Sequence, residues 1–440
     1  MKKITFFLFG LIALVACEAE LETEKANSLG DGNRMTRSGL TISPEEAAAQ
    51  ALEFRNDILE QSGQTRGQKD DKGVASVYAW RSSEIAPKSM TRSTASELLP
   101  DTLLYIVNFE DSCGYALVSA DALVPGVAAY IEKGNLSPDQ EIDNPGFKSF
   151  LEGYQKYVLD SLRRMPDSVK IYHRFDTLAY PFKDSVETAI RIYEPYQTVN
   201  YVAPLLTTKW GQDRPYNDLC PNDNLYGSKC AAGCVAIAVG QVVAYYEYPI
   251  SYNGHSYNWG AIKENEIVDT LNYEGASSVA MLIHDIGQLV RMHYYSRFES
   301  RASFDSVQYC LNAFNYHYNY NGQVENDNNA IKEDLLNYRP VIVDGYKSGN
   351  SPGHAWVIDG LIVKRSRSLV IPGLSKYREY VHCNWGWNGG CNGFFIFKDF
   401  ETLYDTETDK PQTGTDAYVA GIWCGFNNWI HAYHSVYPNE

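Results

Sequence analysis

Two blocks of hydrophobic periodicity, separated by a mixed-charge stretch over 165–205, bound what this chain of 440 residues can fold into. The first block runs helix, strands, helix. Ser43-Pro44-Glu45-Glu46 opens it: Ser43 caps, Pro44 takes the first helical position and Glu46 closes a capping box. That helix is expected to reach about Gln61. Strand-like apolar runs follow at Val77–Trp80, Leu103–Phe109, Tyr115–Ser119 and Val127–Ile131, and an amphipathic helix near Phe147–Leu162 ends the block. This order predicts a small α+β domain over 43–165. The second block, 201–440, starts with a helical half: Cys234 to about Tyr246, then Ser278–Met292. A β half follows, with strands expected at Pro340–Tyr346, His354–Leu361, Tyr380–Asn384 and Phe394–Phe397. Residues 166–200 are the connector.

The N-terminus reads Met1-Lys2-Lys3, an apolar run from Ile4 to Ala16, then Cys17. Two positive charges ahead of an apolar run shorter than the roughly 20 residues of a spanning helix predict an export signal over 1–16. Leu14-Val15-Ala16-Cys17 also matches the bacterial lipobox. Cys17 would then be acylated and become the first residue, with 17–42 as a polar tether carrying Glu18, Glu20, Glu22 and Glu24. Several buried acyl carbons make a firm membrane anchor. The expected location is therefore a bacterial membrane, at the outer membrane or cell surface, with the C-terminal unit released by a cut in the connector.

Lys and Arg total 38 against 54 Asp and Glu, a net charge of −16, which argues against nucleic acid as a partner. His431-Ala432-Tyr433-His434 lacks a third ligand at a metal-site spacing, and no GxxxxGK[ST] loop is present. No metal and no cofactor are expected.

Three segments carry chemistry. In Lys229-Cys230-Ala231-Ala232-Gly233-Cys234-Val235-Ala236, a loop of small residues delivers Cys234 to the start of a helix. The helix N-terminus favours a thiolate there, while the bland alternative is a structural Cys. In Ser351-Pro352-Gly353-His354-Ala355-Trp356-Val357-Ile358-Asp359-Gly360, His354 begins a strand after a flexible turn, which suits an exposed imidazole. Strand alternation puts Asp359 on the opposite face, so Asp359 is not its obvious orienter. In His382-Cys383-Asn384-Trp385-Gly386-Trp387, Asn384 ends a strand before a Trp-Gly-Trp turn. Its side-chain oxygen can hold an imidazole N–H, and a neighbouring Trp can screen that bond from water. A nucleophile on a helix of the first half, with base and orienter on strands of the second, is a thiol-peptidase order.

The region from about Tyr201 to Phe400 resembles the streptopain family of papain-like bacterial cysteine peptidases. The resemblance rests on Gly211-Gln212-Asp213-Arg214-Pro215-Tyr216-Asn217 and on Ala232-Gly233-Cys234-Val235-Ala236 running into Gln241 and Tyr245. It rests also on Gly353-His354-Ala355-Trp356-Val357-Ile358-Asp359-Gly360 and on Asn384-Trp385-Gly386-Trp387 with Gly393-Phe394-Phe395. It implies a papain-like α+β fold of two subdomains, a helical half and an antiparallel β half, preceded by a small α+β pro-domain over 43–165. It implies Cys234 as nucleophile, His354 as general base and acid, Gln212 as oxyanion donor, Asn384 as orienter of His354, and Trp385 as its cover. One well-placed oxyanion donor is worth roughly 3–4 kcal/mol. It further implies endopeptidase action on protein substrates, synthesis as a zymogen, and the chain's own pro-domain as an intramolecular inhibitor.

Two other readings compete: a transglutaminase-like thiol acyl-transfer enzyme, and a non-catalytic surface adhesin or inhibitor on the same scaffold. His382 lies two residues from Asn384 on the same strand face and competes with His354 as base. Among the nine cysteines, a Cys220–Cys230 disulfide is favoured over a Cys230–Cys234 pair, and Cys383 and Cys391 flank the Trp-Gly-Trp turn closely enough to bridge. Cys113 is expected to stay free.

Overall fold

The computed structural model describes residues 34–36, 41–63, 72–81, 102–121, 124, 126–164, 168–171, 189–190, 194–224, 227–321, 329–345, 353–367, 374–403, 419–420 and 430–439. The expected export signal, Cys17, most of the tether and most of the connector lie outside the described residues.

The first block folds around helix α1 (Pro44–Gln61). Both halves of the expected capping box form: the Glu46 N–H donates to Ser43 Oγ at 3.2 Å, and the Ser43 N–H donates to Glu46 Oε2 at 2.7 Å. Ala47, Ala51, Phe54 and Ile58 recur at helical spacing and bury one face of α1. That face meets an antiparallel sheet of β1 (Val74–Arg81), β2 (Thr102–Phe109), β3 (Tyr115–Ser119) and β4 (Val127–Ile131). Helix α2 (Pro145–Arg164) starts two residues earlier than the apolar pattern suggested. The reason is a cap: Asn144 Oδ1 accepts the Phe147 N–H at 3.1 Å. Phe147, Phe150, Leu151, Tyr154 and Val158 form its buried stripe.

The second block contributes β5 (Gln197–Val202), helix α3 (Cys234–Tyr246), helix α4 (Tyr273–Leu289), β6 (Tyr316–Asn321), β7 (Val341–Gly345), β8 (His354–Arg367), β9 (Leu374–Asn384), β10 (Gly393–Leu403) and β11 (Ile430–Pro438). A single 12-stranded sheet runs β6-β11-β7-β8-β9-β10-β4-β3-β2-β1, with β5 added on β8 and Val419–Ala420 on β10. The two blocks therefore share one sheet. The seam is the antiparallel pair β10–β4, where Gly393, Phe394 and Phe395 face Ile131, Tyr130 and Ala129. Two apolar clusters result: one joins the N-terminal domain to the sheet, and the other packs the helical half on it. Phe395 belongs to the first. Its ring lies edge-on to Phe150 at 4.8 Å, Trp385 at 5.2 Å and Phe147 at 6.1 Å.

Strands β8, β9 and β10 run several residues beyond the apolar stretches that announced them. Apolar alternation ends where charged residues begin, yet two of those residues are paired and buried. Lys364 lies 2.6 Å from Asp57 of α1 and 4.7 Å from the centre of the Phe54 ring, and Glu379 meets Lys332 at 2.5 Å. Helix α4 occupies Tyr273–Leu289 rather than 278–292, because Asn272 Oδ1 caps it through the Gly275 N–H at 3.0 Å.

Candidate active site

Cys234 is the first residue of α3, and the backbone before it explains the small-residue loop. Gly233 sits at φ +91°, and a Cβ there would lie 2.6 Å from Met292 Cε, so both conformation and space call for glycine. The loop is pinned on two sides. Ala231 N–H donates to the Ser296 carbonyl at 3.0 Å and Ser300 Oγ donates to the Ala231 carbonyl at 2.7 Å. Ala232 N–H donates to the Gln212 carbonyl at 2.9 Å, which brings the half-buried Gln212 beside the loop that leads to Cys234. From Val235 to Ala244 every residue of α3 is buried.

His354 opens β8, as the sequence indicates, but it is not exposed: 4% of the residue is accessible. Trp356 stacks on it nearly parallel at 6.4 Å, and Trp385 and Trp387 lie at 6.4 and 6.3 Å. The rest of the cover comes from the N-terminal domain. Gly146, in the first turn of α2, packs so closely that a Cβ there would lie 2.3 Å from Trp385 Cε3 and 2.9 Å from His354 Cδ2. The neighbouring Asn144 donates through Nδ2 to the Gly390 carbonyl at 2.9 Å.

This burial sets the charge state. Desolvation pulls the His354 imidazole down to about 4, and its Nε2–H donation to the Trp385 carbonyl at 2.9 Å offsets only part of that. Burial also pushes the Cys234 thiol up. It outweighs the N–H groups of Ala355, Val235 and Cys234 itself, while the charge of Asp344 adds to the rise. The helix N-terminus thus does not produce the expected thiolate in this arrangement. Both shifts favour the uncharged forms, a thiol and a neutral imidazole.

Asn384 does not hold His354 here. Its Nδ2 donates to the Thr208 carbonyl at 2.7 Å, and its Oδ1 accepts from Gln241 Nε2 at 3.2 Å and from the Gly386 N–H at 3.3 Å. Trp385 is fully buried, with Nε1 donating to the Cys391 carbonyl at 2.9 Å and N–H donating to Asn392 Oδ1 at 3.1 Å. The polar contact to His354 is therefore the Trp385 backbone carbonyl, not the Asn384 side chain.

His382 has a different role from the one it competed for. Its Nδ1 lies 2.6 Å from Asp359 Oδ1, and its Nε2 is 3.4 Å from Glu132 Oε1 of the N-terminal domain. Desolvation would lower the His382 pKa, but Asp359 and Glu132 raise it to about 10. A side chain that stays protonated across neutral pH is a fixed cation, not a base. Asp359 reaches it across the β8–β9 ladder: the pairing of Val357 with Asn384 and Ile358 with Cys383 brings Asp359 opposite His382.

The expected disulfides do not form. Cys220 and Cys230 are free thiols, with the Tyr294 hydroxyl hydrogen-bonded to the Cys220 sulfur. Cys391 is a free thiol too. It sits at φ +63° and accepts from the Tyr115 hydroxyl at 3.8 Å, toward the N-terminal domain. Cys113 is free, as expected. Sequence reasoning missed Gly146, Asn144 and Glu132, which carry no motif. Gln241 carries part of the resemblance but was given no role, although a lone polar residue between Val235 and Ala244 was a visible signal.

Residues 210–395 match the Peptidase C10 family, and residues 40–158 match the Spi protease inhibitor family. The chain is 25% identical over 323 residues to the thiol protease/hemagglutinin PrtT of Porphyromonas gingivalis, covering 67% of this chain and 34% of that protein. It is 24% identical over 397 residues to streptopain of Streptococcus pyogenes, covering 77% of this chain and 87% of that one. The chain thus spans 34% of the length of the first relative and 87% of the second. A solved prointerpain A fragment from Prevotella intermedia superposes with a TM-score of 0.51 at 21% identity, covering 78% of this chain and 98% of that one. That likeness bears on the fold.

In the intact chain, alkylation of Cys234 by iodoacetamide is expected to be slow at pH 6–7 and to climb only above the ordinary thiol range of about 8.5. After loss of the N-terminal domain the neutral-pH rate should rise at least about tenfold, since exposure lets the thiolate form. Mass spectrometry of the Cys234 peptide across pH reads both; equal profiles would contradict the charge assignment.

Proposed function

This chain belongs to the Peptidase C10 family, a streptopain-like cysteine peptidase with an N-terminal Spi-type domain, and on that premise we propose that it is a lipid-anchored endopeptidase made as a latent zymogen. The observation that carries latency is the packing of Gly146 against His354 and Trp385. A segment placed there occupies the base, keeps it dehydrated and holds it uncharged.

In the active form, Cys234 is the nucleophile and His354 its partner. With the N-terminal domain gone, the imidazole regains water, its pKa rises, and it can leave the Trp385 carbonyl for Cys234 and Asn384. The thiolate attacks the substrate carbonyl. Gln212 and the Cys234 N–H donate to the oxygen that becomes negative. His354 protonates the departing amine, and water then hydrolyses the thioester. Trp385 shields the imidazole. The family match favours this hydrolysis over the transglutaminase-like and adhesin readings. The substrates would be proteins, and the first partner would be the chain's own N-terminal domain. The lipobox Leu14–Cys17 supports the anchor, and the connector over 166–200 supplies the site of the activating cut.

The Glu132–His382 pair gives latency a pH dependence. Burial pushes the Glu132 carboxyl up, but His382, Lys209 and Lys133 together hold it below the usual carboxylate range. A depressed carboxyl contributes docking that is complete above its free value of about 4.3 and is lost as pH falls through its folded value. His382, raised to about 10, stays protonated throughout that window. Latency is therefore expected to weaken in acid. Glu132→Gln should speed self-processing at pH 7 severalfold and flatten its acid dependence between pH 3 and 5; an unchanged pH profile by gel would count against the pair.

The proposal as a whole is tested by expressing the chain in a bacterium that acylates lipoproteins. The wild type is expected to fractionate with membranes, to shorten itself by cleavage within 166–200, and then to digest casein under reducing conditions. Cys234→Ala should remain full length and inert, and Cys17→Ser should leave the membrane fraction. Self-shortening that persists in Cys234→Ala after contaminating proteases are removed would contradict the nucleophile assignment.

A further inference from the structure

Gln241 is fully buried in the middle of α3, and every other residue from Val235 to Ala244 is apolar or glycine. A buried amide is unfavourable unless both of its ends are bonded. Here both are. Oε1 accepts the Trp210 N–H at 3.1 Å, and Nε2 donates to Asn384 Oδ1 at 3.2 Å. Gln241 follows Cys234 by seven positions, roughly two helical turns, and so lies on the same face of α3.

These bonds join three parts of the site. Trp210 stands two residues before Gln212, on a segment also held by Asn384, whose Nδ2 donates to the Thr208 carbonyl at 2.7 Å. The Trp210 carbonyl accepts the Asn388 N–H at 3.0 Å, from the turn after Trp385. The Gln212 carbonyl then accepts Ala232 N–H at 2.9 Å, two residues before the nucleophile. Asn384 immediately precedes the residue whose carbonyl holds His354. One side chain on the nucleophile's helix thereby fixes both the oxyanion segment and the strand end beside the base.

We infer that Gln241 is a positioning residue of the reaction: its amide sets where Gln212 stands relative to Cys234 by clamping Trp210 to Asn384. The inference rests on the reading of Cys234 and Gln212 given above. An oxyanion donor acts only at hydrogen-bond distance from the developing charge, and a displacement near 1 Å can cost about 10²-fold in rate. Without the clamp, the Trp210 N–H and Asn384 Oδ1 lose their shared partner and the segment shifts. Substrate binding away from the reacting carbonyl is untouched, so kcat falls and KM does not.

The test is a double-mutant cycle on the full chain, activated by a trace of wild-type enzyme, with kcat and KM measured on a peptide substrate. Gln241→Met, close in volume and unable to bond either neighbour, should lower kcat by about 10- to 100-fold with KM changed less than about threefold. In a Gln212→Ala background the same change should cost less than about threefold, because the residue it positions is gone. Equal losses in both backgrounds, or a kcat within twofold of wild type, would overturn the inference. Gln212→Ala with undiminished kcat would instead remove the oxyanion assignment itself, so the two failures are distinct. If Gln241→Met does not fold by circular dichroism, Gln241→Glu serves. Its carboxylate still accepts from Trp210 and from Asn384 Nδ2, but sets an oxygen against Asn384 Oδ1, to which only the protonated form can donate. Burial raises its pKa, so its kcat should recover toward wild type as pH falls. A pH profile of wild-type shape would overturn the inference.

Discussion

The contact between a residue without a side chain and an imidazole governs this structure. Gly146 lies close enough to His354 and Trp385 that no Cβ would fit. Together with Trp356, Trp385 and Trp387 it covers the ring, and that burial brings its pKa to about 4. An uncharged base cannot stabilise a thiolate, and Cys234, itself desolvated, remains a thiol. In the intact chain both side chains are thus held in their uncharged forms, with His354 bonded to the Trp385 carbonyl.

Such a contact has force only if α2 is fixed relative to the strands bearing His354 and Trp385. The shared sheet provides that. The seam between β10 and β4 continues the backbone ladder from one domain into the other. Phe395 then ties α2 to Trp385 through three edge-on ring contacts. The buried His382 cation adds a polar link, since Glu132 arrives from the N-terminal domain to share it with Asp359. Asp359 also accepts the Leu206 N–H at 3.0 Å, at the start of the segment that leads to Gln212. The seam between the domains and the segment that leads to Gln212 are thus anchored on one carboxylate.

The sequence disclosed what depends on near neighbours. Ser43 and Glu46 announced a capping box and made one. The glycine before Cys234 announced a helix start, and His354 a strand start. What it hid depends on residues far apart in the chain. The alternation rule set Asp359 apart from His354, but nothing local said that β8 would pair with β9 in the register that brings Asp359 opposite His382. Charged Lys364 and Glu379 concealed the outer parts of two strands, because their partners lie on distant helices. The cysteines misled for a similar reason. Spacing put Cys220 near Cys230, but a tyrosine seventy-odd positions on in the chain (Tyr294) takes the Cys220 sulfur. Asn384 was expected to orient His354, but its bonds go to Thr208 and Gln241 while His354 is covered.

The account stands or falls on whether the N-terminal domain alone keeps Cys234 and His354 from acting. The most direct measurement is active-site titration with an epoxide inhibitor of cysteine peptidases, which requires a competent Cys–His pair, before and after the cut within 166–200. The intact chain should take up no inhibitor, and the processed chain should take up one equivalent, located on Cys234. Stoichiometric labelling of the intact chain, or labelling of another cysteine after processing, would contradict it.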